Sequence, residues 1–96
     1  MLLLSRDSAY TVLNKVIVAE VTSTIRDIAV EVRLGAREGL PRRSVANLDN
    51  VHAVWRKDLV SRIGSLSASR VGELKAALGY ALDWPELKYR DREDIE

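Results

Sequence analysis

Short β-branched and alternating apolar segments, followed by one amphipathic helix, predict a mostly β chain with a C-terminal helix. Its architecture is expected to be a small, strongly curved sheet or barrel. Three stretches carry that expectation. Val16 to Val21 is mainly β-branched, the composition that packs best on a pleated surface. Ile28 to Leu34 alternates, with Ile28, Val30, Val32 and Leu34 on one side and Ala29, Glu31 and Arg33 on the other, as in a half-buried antiparallel strand. Ala68 to Asp83 places Val71, Leu74, Leu78 and Ala81 or Leu82 at helical spacing, with Ser67 as the cap.

Taken in order, Leu2 to Ser5 reads as a strand running into the polar turn Arg6-Asp7-Ser8. It opens so abruptly that a preceding strand is expected to be missing. Asp7 to Lys15 reads as a loop or a brief helical turn leading into the central strand. If that strand held to its end, Val16, Val18, Glu20, Thr22, Thr24 and Arg26 would share one face. Asp27 separates it from the next strand, so Ser23 to Asp27 is expected to form the connection, with Thr24 and Arg26 in or beside a loop. Gly35 to Arg43 is a loop by its two Gly and one Pro, and Arg37, Arg42 and Arg43 make it the most basic stretch of the chain.

Ser44 to Trp55 reads as one long or two short strands. Its parity changes near Asp49-Asn50, where a bulge or turn is expected. Arg56 to Val60 suits a single helical turn. Ser61 to Leu66 reads as a further strand, with Ile63 and Gly64 pointing to close packing or a bend. Gly72 and Gly79 each weaken the following helix by roughly 1 kcal/mol relative to Ala, so packing must hold it. Pro85 reads as a stop, and Glu86 to Glu96, without apolar period, as a frayed charged tail. The expected organisation is one domain over residues 1–84, its helix at about 68–83, and a flexible tail over 85–96.

A chain of 96 residues has a thin core that a dimer partner would reinforce. With no Cys there is neither a disulfide framework nor a thiolate metal site, and one His without a tight carboxylate cluster argues against zinc or two-metal hydrolysis. Metal-free chemistry without a cofactor is therefore expected. The start has no basic n-region and no apolar stretch long enough to span a membrane, which places the protein in the cytoplasm. Residues 1–84 carry 12 Lys/Arg against 9 Asp/Glu, whereas residues 85–96 carry 3 against 5. The body is weakly basic, too little to imply nucleic acid by its global field alone.

The chemistry-bearing candidates cluster at the end of the central strand. Thr hydroxyls donate to phosphate oxygens, and Arg grips the same group bidentately while stabilising charge that builds on it. Glu20, Thr22, Thr24 and Arg26 would therefore form a polar row that reads as a phosphate-handling surface, with Arg37, Arg42 and Arg43 as a rim for single-stranded nucleic acid. The same residues also read as a solvated strand end and a charged loop. His52, the only imidazole, is the obvious general base, but no Ser or Cys nucleophile pattern accompanies it and a lone His in a strand also serves as a structural residue.

The ordered succession Leu-Leu-Leu-Ser-Arg-Asp, Val-Ile-Val-Ala-Glu-Val-Thr-Ser-Thr-Ile-Arg, Val-Glu-Val-Arg-Leu, Gly-Leu-Pro-Arg-Arg-Ser-Val-Ala-Asn-Leu-Asp-Asn-Val and Arg-Ile-Gly-Ser-Leu-Ser resembles the MazF/PemK toxins of type II toxin–antitoxin systems. The likeness runs from about Leu2 to Trp84. It implies a small SH3-like barrel of the CcdB/PemK type, a homodimer, a bacterial origin and a cognate antitoxin that blocks the RNA groove. It also implies a metal-independent endoribonuclease that cuts single-stranded RNA at short sequences. In that chemistry a ribose 2′-hydroxyl attacks the adjacent phosphate, which explains a preference for RNA. The family's catalytic Thr falls on Thr22, and Ser23, Thr24 and Arg26 match the adjoining phosphate-contacting segment.

The chain departs from the pattern at its start. Family members usually carry a first strand with Gly-Asp/Glu-x-Trp, a loop, and an Arg-Pro before the strand matched by Leu2 to Leu4, and this sequence has none of these. The barrel is accordingly expected to be incomplete at the N-terminus. The Arg of that pattern is the family's other principal catalytic residue, so Arg26 or an Arg of the 37–43 loop would have to supply its charge. Two alternatives stand beside the toxin reading. One is an inactive homologue that binds antitoxin or RNA without cutting, and the other is an unrelated small barrel used as an interaction module.

Overall fold

The computed structural model describes residues 1–5, 12–59 and 62–88. Four strands form one antiparallel sheet in the order β1-β2-β4-β3, where β1 is Leu2–Leu3, β2 Lys15–Thr22, β3 Glu31–Leu34 and β4 Ser44–Trp55. Two helices follow, α1 over Val71–Leu82 and α2 over Pro85–Lys88. The result is a curled half-barrel with a helix across one face, as the β-rich pattern and C-terminal helix predict.

The long pairing of β2 with β4 is the spine. Lys15 to Ala19 face Trp55 to Val51, and Glu20 to Thr22 face Asn47 to Val45. Leu48, Asp49 and Asn50 are thus accommodated between Ala19 and Glu20, so the expected irregularity at Asp49-Asn50 is a bulge in one continuous strand. It switches the parity of β4. Ser44, Ala46 and Leu48 point to the helix before it, while Val51 aligns with inward-facing Ala19 after it. A Leu48 amide bond to the Val30 carbonyl, 2.9 Å, and the Asp49 amide bond to the Asn47 side chain, 2.9 Å, take up hydrogen-bonding groups that the register shift displaces.

The main core cluster lies between sheet and helix, while Val16, Val18 and Val45 are buried on the other face of the sheet. Ala19, Val32, Leu34, Ala46, Leu48 and Ala77 are buried in the main cluster, with Leu2, Leu4, Val21, Leu40, Leu66, Leu74, Leu78 and Ala81 packed around them. Each fully buried Val or Leu contributes about 1.5–3 kcal/mol of transfer free energy. Ser67 caps the helical segment as expected. Its Oγ accepts the Ser69 amide at 3.2 Å, a 3₁₀ turn occupies Ala68–Arg70, and α1 continues from Val71. Leu74, Leu78 and Ala81 face the sheet, but Val71 and Leu82 from the same periodic set are exposed. Gly79 is buried on α1, where a residue without a side chain permits close approach.

Other expectations are corrected. The strand predicted over Ile28 to Leu34 begins only at Glu31, because the Glu31 amide closes a turn onto the Ile28 carbonyl at 3.0 Å and Ile28 faces solvent. The strand predicted over Ser61 to Leu66 is absent from its described part, Arg62 to Leu66. There the chain is pressed against another backbone instead, and a Cβ on Gly64 would overlap the Glu38 carbonyl oxygen. The close packing expected at Gly64 is therefore real. Pro85 does not simply stop the chain: its fixed φ suits a first helical position, and it opens α2. Leu87 then lines an apolar hollow with Leu4, Leu48, Leu74 and Leu78. The helical turn expected after Arg56 is a 3₁₀ turn over Arg56–Asp58. Most of the expected loop from Asp7, together with residues 89–96 of the expected tail, lies outside the described residues.

Candidate functional site

Strands β2 and β3 run parallel to each other on either side of β4, so residues 23–30 must cross β4 to join them. Pairing fixes which side chains share the crossed face. Thr22 and Arg33 both pair with Val45, and Glu20 and Glu31 both pair with Asn47. These residues alternate away from the helix-facing set Val21, Val32 and Ala46. Val45, between Thr22 and Arg33, has no exposed surface.

The crossing segment is pinned at several points. β2 ends at Thr22, whose Oγ1 accepts the Thr24 amide at 3.1 Å. The Glu31 carboxylate then accepts the Arg26 amide at 3.1 Å and the Asp27 amide at 2.8 Å. Asp27 takes a left-handed conformation, φ 60°, and its Oδ1 receives the Arg33 guanidinium at 2.7 Å. The straight polar row that an uninterrupted strand would have made is therefore a bent loop. Thr22 is half-buried, while Ser23, Thr24 and Arg26 are exposed. Arg26 is fixed by its backbone, and among the described residues its guanidinium meets no carboxylate within ion-pair distance.

The basic loop returns to the same sheet end. Arg42 and Arg43 precede Ser44, and Val45 is the partner of Thr22, so both arginines enter the sheet beside the β2 terminus. Arg37 lies in the 3₁₀ turn Ala36–Glu38 that follows β3, on the far side of β4. The loop is held both from outside and by its own turn. Gly39 sits at φ 90° against Ile63 and Gly64, and Glu38 Oε1 accepts the Gly35 amide at 2.7 Å. Arg70 binds Glu38 Oε2 at 3.0 Å, Glu73 Oε2 at 2.7 Å and the Arg33 carbonyl at 2.7 Å. The hydrogen bond with Glu73 raises the Arg70 pKa above its ordinary value, burial opposes that shift, and the charges of Glu73 and Glu38 add to it. Arg70 stays charged at any working pH.

Glu31 and Arg33 were not legible as site residues. They stand on the exposed side of an alternating strand, and their two-residue spacing on the Thr22 face was the available signal. Glu20 and His52 meet, with His52 Nε2 3.2 Å from Glu20 Oε2. His52 pairs with Val18, two residues before Glu20 on the same face, so the contact follows from the β2–β4 register, which local sequence does not set. Among the described residues, no three His, Asp or Glu side chains converge as a metal site, and no helix is long and apolar enough to cross a membrane.

A curled antiparallel half-barrel with a helix on one face, carrying hydroxyl and guanidinium groups at one sheet end, defines the class of protein. Residues 1–82 match the model of the PemK-like, MazF-like toxin of type II toxin–antitoxin systems, and the chain belongs to that family. It is 43% identical over 81 residues to the probable endoribonuclease MazF5 of Mycobacterium tuberculosis, covering 83% of this chain and 74% of that relative. It is 40% identical over 85 residues to endoribonuclease MazF3 of the same species, covering 86% and 82%. Among solved structures it is similar to the M. tuberculosis toxin MazF-mt6, with a TM-score of 0.82 and 39% identity over 85% of this chain and 83% of that one.

Proposed function

We propose that this protein is the toxin of a type II toxin–antitoxin pair, a metal-independent endoribonuclease that cuts single-stranded RNA in the bacterial cytoplasm. It acts as a homodimer and is silenced by a cognate antitoxin covering the RNA groove. The observation that carries the site assignment is the Thr22 hydroxyl. Its oxygen is engaged by the Thr24 amide, so its own proton is directed elsewhere and is available to a phosphate oxygen at the strand end. Arg26 stands four residues on, in a segment locked by Glu31, with its guanidinium able to neutralise the scissile phosphate.

In the reaction, the ribose O2′ attacks the neighbouring phosphorus and the bond from phosphorus to O5′ breaks, leaving a 2′,3′-cyclic phosphate and a 5′-hydroxyl. Negative charge grows on the non-bridging oxygens as the five-coordinate state forms. Thr22 and Arg26 stabilise it with groups already in place. Ser23, Thr24, Arg42 and Arg43 hold the strand on either side, and Arg37 extends the basic rim beyond β3.

The test is incubation of mixed single-stranded RNA with the chain in excess EDTA, followed by mapping of the ends. Cleavage to 2′,3′-cyclic phosphates is expected. Thr22→Val should slow it by about 10²- to 10³-fold, the usual effect of losing one preorganised donor, and Thr22→Ser should recover most of the rate. A folded Thr22→Val variant with undiminished cleavage would remove Thr22 from the reaction.

A further inference from the structure

The β2–β4 ribbon has a second specialised end, remote from Thr22. Lys15 pairs there with Trp55, and the Arg56 amide donates to the Asn14 carbonyl at 2.7 Å, which fixes the two strands together. The Trp55 side chain is 48% exposed. Lys15 Nζ stands 4.6 Å from the ring centroid and Lys57 Nζ 5.9 Å. Asn14, Trp55, Arg56 and Lys57 line an open hollow of about 300 Å³.

An exposed indole among ammonium groups combines the two attractions that single-stranded nucleic acid needs. The ring face stacks a base of any sequence, and the cations neutralise the flanking phosphates. Of the ionic side chains on residues 14, 15 and 55–58, only Asp58 is acidic. We infer that Trp55, Lys15 and Lys57 form a second contact for single-stranded RNA, with a base stacked on Trp55 and the two lysines gripping the adjoining phosphates. The choice of polymer rests on the proposed ribonuclease function. Seven residues of strand separate Lys15 from Thr22, about 23 Å at 3.3 Å per residue, so the contact engages RNA outside the nucleotides being cut. Lys15 and Trp55 alternate onto the face opposite Thr22, so the RNA wraps the end of the ribbon to reach them.

Trp55 and Trp84 are the only tryptophans, so Trp84→Phe isolates the Trp55 emission. The probe is an uncleavable 2′-O-methyl single-stranded oligonucleotide of about ten nucleotides, within the span that single-strand-binding folds engage. Binding should quench Trp55. Trp55→Ala should weaken affinity by about 5- to 100-fold, Trp55→Phe should restore most of it, and Lys15→Gln or Lys57→Gln should each reduce the salt slope by about 1. Emission unchanged at saturation overturns the inference, as does full affinity in Trp55→Ala, a loss confined to self-association in sedimentation, or no oligonucleotide binding at all. Cleavage of RNA by the wild type is read in parallel. Cleavage without quenching removes only this second contact, whereas quenching without cleavage leaves it standing and removes the nuclease function.

Discussion

The two connections that flank β3 solve the same problem by different means. Each must hold a loop still while leaving arginines free to meet an anion. Residues 23–30 are held from within a short span: Thr22 binds Thr24, Glu31 binds the amides of Arg26 and Asp27, and Arg33 binds Asp27. Residues 35–43 have local bonds of their own between Gly35 and Glu38, but they also lean on groups far along the chain, with Gly64 against Glu38 and Gly39 and Arg70 on Glu38. The first loop is therefore expected to keep its shape when distant packing loosens, and the second is not. That difference separates the residues proposed for chemistry from those proposed to hold the RNA strand.

The sharpest break comes from Gly64→Ala. The new methyl group would meet the Glu38 carbonyl, which is backbone and cannot rotate away. Overpacking of this kind costs about 3 kcal/mol, lowering Tm by on the order of 10 °C for a domain of this size. Amide hydrogen exchange should rise in 35–43 and remain low in 24–28, and equal loosening of both loops would dissolve the contrast.

Glu31→Gln probes the other loop. It keeps one acceptor oxygen but loses the charge, and the side chain is only half-buried, so about 1 kcal/mol is expected. Exchange should rise at the Arg26 and Asp27 amides, with RNA cleavage falling while the 35–43 loop stays protected. The mildest change is Arg42→Gln or Arg43→Gln. Both side chains are exposed, so stability should move by less than about 0.5 kcal/mol. RNA binding should weaken alike across sequences, each variant reducing the salt slope by about 1 as measured by titration at several salt concentrations.

Much of the frame was legible because its causes are local. The β-branched run to Val21 makes β2, the parity change at Asp49-Asn50 makes the bulge, and Ser67 followed by a 3.6-residue apolar period makes the helix. The errors fell where two physical demands compete. Ile28 and Val30 fit an alternating strand, but the turn that lets the chain cross β4 consumes them. Arg62 to Leu66 has strand-like composition but gains its partner through a glycine contact rather than a ladder. The first helix ends at a left-handed Asp83 and Pro85 opens the next, so a proline that composition reads as a stop is a start.

The same division holds at the candidate site. Alternation along one strand was sufficient to put Glu20 and Thr22 on one face, and Asp27 before the next strand warned that Thr24 and Arg26 belong to a loop. It was also sufficient to mark Arg37, Arg42 and Arg43 as one basic segment. Which groups face each other across strands was decided only in three dimensions. Register brings Arg33 level with Thr22 and His52 beside Glu20, and the crossing of β4 carries Asp27 to Arg33. Local sequence sets backbone preference and the side of a strand on which a residue stands, because both depend on neighbours a few bonds away. Cross-strand partners depend on register and crossover, which are selected by burial of the whole sheet against α1.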